Sequence, residues 1–342
     1  METRKISTDA HIVVAGAGGI GCYVGGCLAR AGRKVTFLAR PRIEQALREN
    51  GLRISDLDGH DRLLAPDAVD ASADPAVLAG ADVVLVTVKR GATEEMGKLV
   101  AAHARPDAIV VSLQNGVDNA DRIRSLTAPR PVLAGMVPFN VAQSSEGERP
   151  LHMHRASEGT VLVGAGVPGL AELLSVEGCV SAAHADIEDV LWGKLLFNLN
   201  NALVALSDLP LAAELADRRW RLVLARQMDE ALTAMKASGI RPVAAAGGAP
   251  PALLPSILRL PDWLFALLAR RMLAIDGKAR SSMWDDLQRG RPTEVDALQG
   301  AVLRLAKRAG TAAPTIERTI ALVRAAERAG SGVPRLAPDA FD

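Results

Sequence analysis

The segment HIVVAGAGGIGCYVGGCLARAG, residues 11–32, decides how the rest of the chain is read. It opens with a short β-branched run of the kind buried in parallel sheets. Gly16, Gly18 and Gly21 follow in a G-x-G-x-x-G spacing, and an apolar helical pattern begins at the last of them. The spacing alone is a weak signal. Between a strand and a helix it marks a dinucleotide-binding turn. Gly16, Ala17, Gly18, Gly19, Ile20 and Gly21 then form a loop whose backbone can approach a pyrophosphate, with helix-terminal N–H groups meeting its charge.

Outward from this turn, short apolar runs alternate with helical patterns. KVTFLAR (34–40), ADVVLVTVK (81–89), AIVVSLQ (108–114) and PVLAGMV (131–137) read as further buried strands. Alternating β and α predicts an α/β, doubly wound, Rossmann-type domain. The stretches 51–66 and 151–164 read as polar hairpins added antiparallel. After about Ala185 the strand signal stops and helix follows helix. The expected division is therefore 1–185, a dinucleotide-binding domain, and 186–342, an all-helical domain carrying substrate and catalytic groups. A Pro/Gly/Ala loop at 241–255 and GRPTE at 290–294 punctuate the second half.

Bulk properties agree with two soluble domains. The chain has 342 residues, 49% hydrophobic and 23% charged, with aromatics at only 3%, so Leu, Ala and Val fill the cores. A net charge of +1 gives no basic field for nucleic acid. Cys22, Cys27 and Cys179 form neither C-x-x-C nor a zinc spacing, and His152 and His154 alternate along a strand without a third ligand, so no metal site is expected. METRKISTDA lacks an apolar signal core, and charges interrupt the most apolar helix, 260–273, well short of a membrane span. A cytoplasmic protein with no membrane partner is expected.

The second strand ends in FLARPR, with Arg40 where an NAD site would usually place a carboxylate, and Arg42 close behind. A guanidinium suits a ribose 2′-phosphate, so NADP(H) is the expected cofactor. Lys89 and Asn115 stand at two further strand ends, on the carboxyl edge where ligands bind in open α/β sheets.

The catalytic candidates lie further on. In WGKLLFNLNNALVAL (192–206) six apolar residues share one helical face. Lys194, Asn198 and Asn201 gather within about 60° of one another on the other. In residues 279–300, Thr293 can cap a helix with Asp296 as partner, placing Glu294 in its first turn, and Ser282 can cap the helix before it. Adding a hydride to a carbonyl leaves charge on oxygen, which a nearby proton donor must meet. A lysine whose pKa is lowered by burial, with a carboxylate opposing that drop, fits the need. Asn and Ser can orient a carboxylate without adding charge. The set suits reduction of a 2-oxo acid.

Taken in order, GAGGIG, VTVKRG, SLQNGVDN, WGKLLFN and SSMWDDLQRGRPTEVDALQG resemble the ketopantoate reductase (2-dehydropantoate 2-reductase) family over nearly the whole chain. The resemblance implies a Rossmann-type domain followed by a helical domain like that of 6-phosphogluconate dehydrogenase. It implies NADPH-dependent reduction of 2-dehydropantoate to pantoate, toward pantothenate and coenzyme A. By position, Lys194 matches the proton donor and Glu294 the acidic partner that helps bind cofactor and substrate. Asn115, Asn198 and Ser282 match the substrate-contacting residues. Ser281 and Asn201 are expected to join that set, Asn201 as a displaced substitute for the helix asparagine missing at Ala202. Arg40, Lys89 and Asn115 join the glycine loop at the cofactor. Three positions depart from the pattern: Ala202 replaces a second helix asparagine, Ile316 replaces another, and KRGATEE lacks a glutamine. A reductase of another 2-oxo acid is the alternative, and a dinucleotide sensor without turnover is a third reading. The Ala- and Leu-rich second domain can support a homodimer.

Overall fold

Apolar four-residue runs bounded by Gly, Pro and polar turns become the strands of this chain. The computed structural model describes residues 5–144, 150–244, 249–268 and 279–342. The chain divides into two units, Met1–Glu188 and Asp189–Asp342. The first four residues, 245–248 of the Pro/Gly/Ala loop and 269–273 of the apolar segment lie outside the described residues. Among the described residues no helix is long and apolar enough to cross a membrane.

The first unit contains all the described strands: β1 (Ile12–Ala15), β2 (Val35–Leu38), β3 (Leu52–Asp56), β4 (Asp61–Leu64), β5 (Asp70–Ser72), β6 (Val83–Val86), β7 (Ile109–Ser112), β8 (Val132–Met136), β9 (Val141–Ser144), β10 (Leu151–Arg155), β11 (Val161–Gly164) and β12 (Ser181–His184). Eight form one sheet in the order β12-β11-β8-β7-β6-β1-β2-β5. From β5 to β8 every pair is parallel, and β11 returns antiparallel to β8. All five runs read as buried strands lie in this parallel block. The strand order reverses at β1, so the crevice at the carboxyl ends of β1 and β6 is the topological switch point.

The helices α1 (Gly19–Arg30), α2 (Pro41–Asn50), α3 (Thr93–His103) and α4 (Asn119–Thr127) connect these strands. Helix α1 lies close to the sheet: a Cβ on Gly25 would stand 2.5 Å from the Phe37 ring of β2. The 51–66 stretch is the expected antiparallel hairpin, β3 with β4. The 151–164 stretch is not a hairpin. β10 joins a second, four-stranded sheet, pairing parallel with β3 and antiparallel with β9, while β11 joins the large sheet. Both halves alternate buried and half-exposed residues, and that pattern cannot say which partner each half finds.

After a short helix α5 (Leu170–Leu174) and β12, the described remainder is helical. It begins with α6 (Ile187–Asn198) and α7 (Asn200–Ser207). The expected helix over 192–206 is divided at Leu199, which keeps helical dihedrals and bonds its N–H to the Leu195 carbonyl at 3.0 Å, while its own carbonyl accepts from the buried Gln299 amide at 2.9 Å. The unit's core is built around α9 (Arg218–Ala237), which follows α8 (Leu211–Ala216). Trp220 meets Phe341 edge to face at 5.6 Å, so the end of the chain seals the start of α9. Arg221 is fully buried, its guanidinium shared among the carbonyls of Leu215, Ala216, Leu258 and Leu260 and the Asp262 carboxylate.

Candidate active site

Each unit carries its own candidate residues. In the first, the glycine loop leaves β1 and enters α1. Gly16 has φ +118° and would press a Cβ within 2.7 Å of Val88, so no other residue sits there without strain. At Gly21 a Cβ would lie 2.1 Å from the Gly16 carbonyl. Gly18 differs: nothing lies within 4 Å of where its Cβ would be. The Cys22 N–H makes the first helical bond, to the Gly18 carbonyl at 2.8 Å. The amides of Gly19, Ile20 and Gly21 are therefore first-turn donors with no helical acceptor. Two tight glycines shape this turn, and the third leaves open space before a fringe of N–H groups. A dinucleotide pyrophosphate fits that cradle.

Arg40 ends the second strand and stands exposed at the N-cap of α2, with Arg42 also exposed in the first turn. Lys89 is exposed after β6, and Asn115 is half-buried after β7. Residues that sequence reasoning passed over hold these last two loops. Arg90 and Asp118 form a bidentate pair at 2.7 Å for both bonds, linking the loop after β6 to the loop after β7. Gln114, buried, donates to the Val88 carbonyl at 2.8 Å and to the Thr93 hydroxyl at 2.7 Å. Opposite charges just beyond two neighbouring strand ends, in VKRG and NGVDN, were the available signal.

In the second unit the polar stripe is real. Lys194, Asn198 and Asn201 are half-buried, while Leu195, Leu196, Leu199, Ala202 and Leu203 are fully buried. Asn200 turns the other way, into the core, and donates to Glu214 at 3.0 Å. Burial pushes the Lys194 ammonium down to about 8, and the Glu294 carboxylate works against that fall. Lysine and glutamate, a hundred residues apart in sequence, therefore act on each other.

The capping expectations need correction. The cap of the helix Ser282–Gln288 is Ser281, not Ser282: its Oγ accepts the Trp284 N–H at 3.1 Å and donates to the Asn201 carbonyl at 2.8 Å. Ser281 thereby ties this helix to α7, and Ser282 is exposed in the first turn. The next helix starts at Gln299 rather than after Thr293. Glu327 takes the Thr293 N–H at 2.8 Å and Arg324 draws away the Asp296 carboxylate at 2.7 Å, which leaves no capping box. Glu294 instead opens a tight turn, its carbonyl accepting from Ala297 and Leu298 at 2.9 and 3.1 Å.

Among the described residues one group, Asp56, Asp58 and His60, lies within metal-ligating reach. Asp56 there accepts the backbone N–H of Asp58 at 3.0 Å and of His60 at 3.1 Å, which is the bonding of a hairpin turn. His152 and His154 share the Ser55 hydroxyl at 2.7 and 2.8 Å.

Comparison with known proteins adds to this geometry. Residues 12–167 match the family model described as ketopantoate reductase PanE/ApbA, and residues 186–327 match its C-terminal companion. A 2-dehydropantoate 2-reductase of Halobacterium salinarum is 30% identical over 329 residues, covering 94% of this chain and all of the relative. A PanE/ApbA family ketopantoate reductase from Ralstonia eutropha JMP134 is 32% identical, with a TM-score of 0.77 over 94% of this chain and 99% of that one. D-mandelate dehydrogenase, solved with NADH and anilino(oxo)acetate, shares the fold at 20% identity, with a TM-score of 0.75 over 94% of this chain and 99% of that one.

Proposed function

The chain belongs to the ketopantoate reductase family, and on that premise we propose that it reduces 2-dehydropantoate to pantoate with NADPH. The observation that carries the proposal is Lys194: a half-buried amine brought down to about 8 by burial, opposed by Glu294, on one face with Asn198 and Asn201. Such an amine is charged at neutral pH and gives up its proton readily.

Residues 16–21 would hold the pyrophosphate, and Arg40 a 2′-phosphate. Bound there, the reduced nicotinamide supplies the hydride. The Lys194 ammonium holds the substrate carbonyl oxygen and, as the carbonyl carbon becomes tetrahedral, transfers one proton to that oxygen. The product is the 2-hydroxy acid, and the neutral amine recovers its proton from solvent. Glu294 keeps the lysine charged between turnovers. Asn115, Asn198, Asn201 and Ser282 orient the substrate carboxylate and hydroxyl, while Ser281 acts through Asn201, whose backbone carbonyl accepts a hydrogen bond from its hydroxyl.

A second reading keeps this chemistry and changes the acid. Ala202, where the family resemblance implies an asparagine, has no exposed surface, so the polar set differs from the expected one. An NADPH-oxidation assay across ketopantoate and other branched or aromatic 2-oxo acids, repeated with NADH, separates the readings. Ketopantoate should have the highest kcat/KM, with NADPH preferred. No turnover of ketopantoate alongside rapid turnover of another acid would transfer the assignment to that acid.

A further inference from the structure

Asn200 is the one asparagine of 192–206 that leaves the Lys194 stripe, and what it meets is unusual. Glu214, on α8, is fully buried, and Asn200 is 6% exposed. One bond joins them, from Asn200 Nδ2 to Glu214 Oε2 at 3.0 Å. The two remaining oxygens, Asn200 Oδ1 and Glu214 Oε1, are buried with no hydrogen-bond partner among the described residues. With Glu214 ionised, both would be acceptors in the core with nothing to accept, which is costly. In a coplanar acid–amide pair, one N–H···O bond brings the other two oxygens across from each other. A single proton on Oε1 then satisfies both, as the acid O–H donates to Asn200 Oδ1.

We propose that Glu214 is held as a neutral carboxylic acid in a two-bond ring with Asn200, and that this ring positions the junction between α6 and α7. The positioning half rests on the functional reading above, because the junction is flanked by Asn198 and Asn201. Gln299 also holds the junction, donating to the Leu199 carbonyl at 2.9 Å. Glu214 is thus a positioning residue, acting through Asn200 and touching no substrate.

The surroundings favour the neutral form. Burial pushes the Glu214 carboxyl up to about 8, the Asn200 donor opposes this, Asp217 adds to it and the Arg221 guanidinium opposes it. Arg221 is spent mainly on backbone carbonyls and Asp262, so it does not supply a dedicated counter-charge. A carboxyl whose folded pKa lies above its unfolded value contributes fully below the unfolded value, about 4.3, and that contribution is lost as pH rises from there through the folded pKa, with no further change above it.

The experiment uses the full-length protein, Glu214→Gln and Asn200→Ala. Glutamine preserves both bonds of the ring without a titrating proton. The wild-type Tm should fall by about 5–10 °C more than that of Glu214→Gln between pH 5 and 8. Hydrogen exchange over residues 198–204 should match wild type in Glu214→Gln and rise tenfold or more in Asn200→Ala. KM for the 2-oxo acid should rise several-fold in Asn200→Ala, with NADPH affinity unchanged, and return to normal in Glu214→Gln. Parallel melting of wild type and Glu214→Gln across pH overturns the neutral acid. Wild-type exchange at the junction in Asn200→Ala overturns the positioning role. If wild type reduces no 2-oxo acid, the functional reading fails, while melting and exchange still decide the pair.

Discussion

Replacing Glu294 by glutamine should move the pH dependence of catalysis without removing the proton donor. Lys194 is brought down to about 8 by burial, and the Glu294 carboxylate is what resists a further fall. Glutamine keeps the size and polarity and deletes the charge. At the effective dielectric of a partly buried site, a nearby opposite charge shifts a pKa by about one unit or more, roughly 1.4 kcal/mol per unit. Reduction needs the ammonium, so the rate falls as pH rises through the lysine pKa. In wild type that descending limb should lie near 8. In Glu294→Gln it should lie near pH 7 or lower. At pH 8 the charged fraction would then drop from about one half to about one tenth, a roughly fivefold loss from protonation alone. The assay is kcat/KM for the 2-oxo acid against pH from 5.5 to 9.5, which reports groups of the enzyme before that acid binds. It is read by the position of the limb rather than by its height, because Glu294 is also expected to contact the ligands. A limb that stays near 8 or moves to higher pH would refute the idea that Glu294 tunes Lys194 as the donor.

Lys194→Ala should lower kcat by about 10²–10⁴, the usual worth of a general acid, with NADPH affinity by fluorescence titration within about twofold of wild type. Gly18→Ala should melt like wild type, since its Cβ meets nothing, yet bind NADPH at least tenfold more weakly; unchanged binding would show that no phosphate occupies that space. Gly21→Ala should lower stability by about 1–3 kcal/mol in a denaturant titration, because its Cβ lies 2.1 Å from a backbone oxygen. Arg40→Ala should cost about 1.5–3 kcal/mol of NADPH affinity and leave NADH nearly unaffected, measured by titrating each.

How far the sequence was legible follows from the range of each signal. The strands of the parallel block were readable because burial on both faces makes their residues uniformly apolar, as in IVVA and VVLV. The stripe of Lys194, Asn198 and Asn201 was readable because helical phase is local. Pairing was not: nothing within 151–164 announces that its two halves join different sheets. Caps were misassigned where distant residues competed for the same groups, as Glu327 and Arg324 do around Thr293. The bond from Gln299 to the Leu199 carbonyl was invisible because its two ends lie a hundred residues apart. Glu214 drew no notice because a lone glutamate in LAAELA reads as surface until its burial is known.

The bond from Gln299 to Leu199 has a consequence for how this chemistry can drift. Leu199 lies five residues after Lys194, and Gln299 lies five residues after Glu294. The same buried bond therefore anchors both backbone segments that carry the pair. Its two ends are solvent-free, so the acidity of Lys194, the proposed donor, depends on how the interior is packed and not only on the groups beside it. A lineage could retune the enzyme through silent-looking changes in the core, keeping every residue that meets the ligand.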